Sequence, residues 1–79
     1  MRKLKLIWDF KGPDGIKIAE HHATHLKEFM AIEKYTNLIT GFEALTDDHA
    51  IAYLVVPEDQ MKPLRDALKP HRGQVYSEG

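Results

Sequence analysis

The chain predicts an α+β fold of the ferredoxin-like kind: a βαββαβ sandwich with a four-stranded antiparallel sheet and two helices on one face. Three observations carry this expectation. The hydrophobic period switches between two and about 3.6 in the order strand, helix, strand, strand, helix, strand. The two middle strand-like runs are separated by a short polar turn, which only an antiparallel hairpin can bridge. Finally, 79 residues can build one core, so residues 1–79 form a single domain.

Lys3 to Phe10 alternates, with Leu4, Leu6, Trp8 and Phe10 on one face and Lys3, Lys5, Ile7, Asp9 and Lys11 on the other. This is a strand with one buried face. Ile7 departs from the polar side, as it would if a partner covered part of that face. Gly12-Pro13-Asp14-Gly15 breaks the strand, and Asp14 is placed to cap the next element. From about Ile16 to Tyr35, Ala19, Ala23, Leu26 and Met30 form a helical stripe. Ile18, His22, His25 and Phe29 repeat the spacing alongside it, and Glu20, Lys27, Glu28 and Lys34 face solvent. The helix is expected to end at Thr36-Asn37, with Asn in the left-handed conformation.

Leu38 to Leu45 reads as a strand weakened, and bulged, at Gly41. Thr46-Asp47-Asp48 is a turn, because short polar side chains compete for their own backbone groups. Ala50 to Val56 is uncharged and apolar on both faces, as a central strand is. Met61, Leu64 and Leu68 give the stripe of a second helix after Pro57-Glu58-Asp59. Pro63 places the start of that helix late, with the proline in its first turn and the end at Lys69 before Pro70. Gln74 to Ser77 is the last strand.

Composition excludes several classes. A net charge of −1, with 11 basic residues spread along the chain, gives no footprint for nucleic acid. Cysteine is absent, which removes disulfides, thiolate metal ligands and a cysteine nucleophile. No run approaches the ~20 apolar residues of a membrane span, so the expectation is a soluble cytoplasmic protein. An RNA-recognition domain shares the element order, but Ala50 to Val56 lacks the aromatic stacking pattern it needs. The loop at residues 11–15 carries neither the Cys-x-x-Cys of a metallochaperone nor the loop motif of an acylphosphatase.

The element order brings the end of the first strand, the start of the first helix, the hairpin turn and the end of the second helix to one edge. His21, His22 and His25 then belong to the first turns of the helix, with His49 and His71 beside the neighbouring turns. His21 and His25, at i and i+4, can chelate one ion, with His71, His49 or an aspartate as a third ligand. Such a nitrogen-rich site suits Zn²⁺, Ni²⁺ or Cu²⁺. His22, His71, Arg72 and Asp9 are the candidates for contact with a non-metal ligand. Arg72 offers a fork for a small anion, and Asp9 can orient a histidine through its ring nitrogen. Against these stand plainer roles: rings that cap, pack or face water, and an Arg72 paired with Asp47, Asp48 or Asp14.

The leading expectation is therefore a small ligand- or metal-binding protein, dimeric through its open sheet face, where Ile7 and Tyr53 lie. One alternative is a dimeric α+β-barrel enzyme using a histidine as general base in an enclosed pocket between the first helix and the sheet, of ~300 Å³ or more and reaching His22 or His71. The other is a regulatory module working through the sheet face.

Overall fold

The computed structural model describes residues 2–35 and 38–76. Its elements are β1 (Lys3–Lys11), α1 (Gly15–Ile32), β2 (Ile39–Thr46), β3 (His49–Pro57), α2 (Glu58–Leu68) and β4 (Arg72–Tyr76). The strands form one antiparallel sheet in the order β2-β3-β1-β4, so the ferredoxin-like arrangement is the one observed. β1 occupies the centre because it pairs on both sides, with β3 from Lys3↔Pro57 to Lys11↔His49 and with β4 from Lys3↔Tyr76 to Ile7↔Arg72.

Alternation along β1 sorts its side chains by layer. Leu6 and Trp8 join Ala50, Ala52, Leu54 and Val56 of β3 beneath the helices, with Leu4 and Phe10 at the margins. α1 contributes Ala19, Leu26 and Met30 to this core and α2 contributes Leu64, flanked by Met61 and Leu68. The opposite face holds Ile7, Ile51 and Val55, which are also buried at 1%, 3% and 2% exposure. Ile7 is thus covered within the single chain, where Tyr53 and Arg72 are its cross-strand neighbours. Its apolar character needs no second molecule.

α1 begins where Gly12 N–H bonds to the Asp48 carbonyl at 2.7 Å, tying the first loop to the hairpin turn. Asp14 occupies the N-cap position but makes no side-chain cap bond. A side chain at Gly15 would place its Cβ 2.7 Å from the Phe10 carbonyl oxygen, so the helix can start this close to β1 only on glycine. The helix ends earlier than the Thr36-Asn37 reading, which lies outside the described residues. Lys34 takes the left-handed conformation at φ 61°. Tyr35 N–H then bonds to the Met30 carbonyl and Lys34 N–H to that of Ala31, the Schellman pattern, with Tyr35 stacked on Phe29.

Three further details differ from expectation. The irregularity in the β2–β3 ladder falls between Ala44 and Thr46, not at Gly41. Gly41 pairs with Tyr53, and a Cβ there would meet the tyrosine hydroxyl at 2.7 Å, so the glycine makes room for a ring rather than for a bulge. α2 starts at Glu58, which leaves Pro63 inside the helix. Glu58 N–H bonds to the Arg2 carbonyl and its carboxylate pairs with the Arg2 guanidinium. That anchor, with Glu58 and Asp59 favoured at the positive helix end, holds the turns before the exposed Pro63 despite one lost helical bond. Lys69, left-handed at φ 50°, ends α2 before Pro70. β4 begins at Arg72, ahead of the expected Gln74, and Ser77 lies outside the described residues. Among the described residues no helix is long and apolar enough to cross a membrane.

Gly15→Ala is expected to destabilise the fold by about 1–3 kcal/mol, because the added methyl must displace backbone of β1. Urea unfolding of the two proteins measures the difference; equal midpoints would show that the approach of α1 to β1 is not tight.

Candidate functional site

β4 stops pairing with β1 at Ile7↔Arg72, so the next β1 residue with its amide on that side has no strand partner. Asp9 N–H instead donates to His71 Nδ1 at 2.9 Å, while His71 N–H donates to the Ile7 carbonyl at 2.9 Å. An amide can donate only to an unprotonated nitrogen, so the His71 ring proton sits on Nε2. Nε2 is then a donor with no protein partner among the described residues.

The Asp9 carboxylate points to the helix-free face. Arg72 donates to it twice, Nε to Oδ2 at 3.0 Å and Nη2 to Oδ1 at 3.1 Å, and His49 Nε2 donates to Oδ1 at 2.8 Å. The Arg72 bonds are the main cause that lowers the Asp9 carboxyl from its ordinary 3.8 to about 2; partial burial opposes them and His49 adds to them. The same contact holds Arg72 protonated. Arg72 therefore finds its counter-ion in Asp9, and not in Asp47, Asp48 or Asp14.

The histidines divide among three environments. His49 belongs to the helix-free face with Asp9. His22 lies between α1 and the sheet, its ring 4.9 Å from Trp8 and 5.5 Å from Phe10, while His71 meets Phe10 from 6.3 Å. His22 Nε2 is buried without a hydrogen-bond partner. Burial lowers the His22 pKa, and the nearby His25 and His71 lower it further. His21 and His25 sit seven and eleven residues into α1, beyond its first turn, and face solvent. Their rings touch edge to face at 4.7 Å, and His25 Nδ1 lies 3.4 Å from Glu28. Among the described residues, no three or more His, Asp or Glu side chains are grouped to hold a metal ion.

A cleft of about 480 Å³ opens between α2 and β4. Leu4 and Leu6 of β1 with their partners Val75 and Gly73 of β4 make its floor, Met61 and Arg65 its wall, and Pro70 and His71 its end. It reaches His71, as the pocket expected for an enzyme would, but it is open to solvent and lies at α2, not beneath α1. Met61, Arg65, Gln74 and Val75 were not read as site residues from the sequence. The signal for them was faint: the stripe Met61, Leu64 and Leu68 marks the face of the second helix that packs, and says nothing of the strand left uncovered.

Two pH dependences follow. The unfolded chain protonates Asp9 near 3.8 and the folded chain near 2, so the stability this carboxylate supplies is full above pH 3.8 and is lost as pH falls toward 2. Asp9→Asn should lower the melting temperature near neutral pH and flatten this acid limb; an unchanged limb would mean that Asp9 is not held by Arg72 and His49. For His22 the folded pKa lies below the ordinary 6.5, so its contribution is full above 6.5 and is lost as pH drops below it. His22→Leu, which needs no partner between Trp8 and Phe10, should therefore gain stability over the parent at about pH 5 relative to about pH 7.5, measured by urea unfolding.

Comparison with known proteins finds no matching family model, no matching curated protein and no matching solved structure.

Proposed function

We propose that this chain is a small-molecule binding protein whose site is the cleft between α2 and β4. One observation carries the reading: an apolar floor open to solvent ends at a histidine whose orientation is fixed from behind. At the cleft Val75 is 56% exposed on the side of the sheet that the helices otherwise cover. Its volume, about 480 Å³, falls within the ~300–1,000 Å³ of small-ligand sites. Apolar area supplies affinity on the floor, and the His71 Nε2–H donor supplies direction at the end.

Gly73 provides a clean test. A Cβ at this position would meet only ordinary contacts, Lys5 O at 3.6 Å and Leu6 Cδ2 at 3.7 Å, so a larger side chain is tolerated by the sheet yet occupies the floor. With 8-anilinonaphthalene-1-sulfonate as probe, saturable binding is expected, with amide shifts concentrated at residues 61–65 and 71–75 in two-dimensional NMR. Gly73→Val should keep a dispersed spectrum and lose that binding. Shifts scattered elsewhere, or binding unchanged in Gly73→Val, would overturn the assignment.

A further inference from the structure

The cleft has a polarity that bears on what it takes, an inference that rests on its being a binding site. Arg65, Arg72 and His71 line it, and among the described residues no acidic side chain does. Arg72 is already matched by the Asp9 carboxylate on the other face of the sheet. Arg65 is not matched in this way. Among the described residues its side-chain contacts are two long ones, both 3.4 Å, to the adjacent Asp66, and the side chains are 49% and 65% exposed. A pair of neighbouring residues so exposed to water contributes little and yields readily to a better-placed anion.

The direction of α2 places this cation at one end of the cleft. Glu58 N–H bonds to the Arg2 carbonyl, and Trp8 Nε1–H donates to the Leu68 carbonyl at 3.1 Å, so α2 runs alongside β1 in the same sense. Met61 therefore overlies the Leu4–Val75 end of the floor. Arg65, one turn further, overlies the Leu6–Gly73 end, next to Pro70 and His71. One end is apolar, and the other combines a guanidinium with a histidine N–H donor. An ammonium group would meet a guanidinium and a second N–H donor there with no acceptor, and a hydroxyl would leave Arg65 unmatched.

We propose that the cleft takes a small carboxylate bearing an aliphatic chain, with the carboxylate between Arg65 and His71 and the chain along Leu4, Leu6 and Val75 toward Met61. A guanidinium and an imidazole N–H both donate to a carboxylate, and the aliphatic chain meets the apolar floor.

Three probes of equal chain length separate the contributions: octanoate, octylammonium and 1-octanol, each titrated into the untagged chain and followed by two-dimensional NMR. Octanoate should bind at least about tenfold more tightly than octylammonium and 1-octanol. Arg65→Gln should remove most of that preference without weakening 1-octanol, and Arg65→Lys should restore part of it. If the three probes bind alike, or Arg65→Gln leaves the octanoate affinity unchanged, the carboxylate assignment is overturned while the cleft stands as an apolar site. If none of the three shifts residues 61–65 and 71–75, the cleft reading itself falls.

Discussion

The arrangement depends on β1 more than on any other element, because its alternation is read from both sides of the sheet. Both neighbours, β3 and β4, take their register from it. A one-residue slip would move Leu6 and Trp8 out from under the helices and put Lys5 and Ile7, or Ile7 and Asp9, in their place. The register is also pinned outside the ladder. Trp8 Nε1–H reaches the Leu68 carbonyl, and Asp9 uses its amide for His71 and its carboxylate for Arg72 and His49. Two consecutive residues thereby tie the sheet to α2 on one face and to β3 and β4 on the other.

Asp9 is the point at which the two faces meet. Its carboxylate is satisfied on the helix-free side and its N–H on the side of the cleft, so the orientation of His71 depends on the same residue that neutralises Arg72. The arrangement gives His71 a structural duty, closing the strand where β4 stops, and through that duty a fixed donor nitrogen. A ring bonded at Nδ1 has little freedom to turn, which lowers the entropic cost of using Nε2 toward a ligand.

The fold was legible because its periods are clean: the α1 stripe Ala19, Ala23, Leu26 and Met30 is buried throughout, and β3 is buried on both faces as its uncharged run implies. The convergence of Asp9, His49, His71 and Arg72 was legible as well, since it follows from element order alone. What local pattern could not supply was direction. His21 and His25 share the edge in topology but point to solvent, because the stripe that sets the rotation of α1 turns them away from the sheet. Arg72 was assigned carboxylates near it in loops, whereas cross-strand alternation puts it on the same face as Asp9. Pro63 was read as a helix start by local rule, and the competing contact lay at Arg2, fifty-six residues from Glu58. Long-range anchors of this kind leave no trace in a window of sequence.

The cleft is the least legible feature, and it has a mechanical origin. Neighbouring strands lie ~4.8 Å apart and a helix with its side chains is ~10 Å across, so two helices are wide enough to cover four strands. They do not, because α2 is fastened to β1 at both ends, by Glu58 to Arg2 and by Leu68 to Trp8. Held there, α2 packs on β1 and β3, with none of the extensive contact to β4 that would close the outer strip of the sheet. Gly73 widens the strip opposite Leu6, and Val75 lines it opposite Leu4. A helix free to slide outward would bury Val75 and gain apolar area. Both anchors oppose that movement, so the exposed valine is the consequence of two hydrogen bonds that hold the helix back.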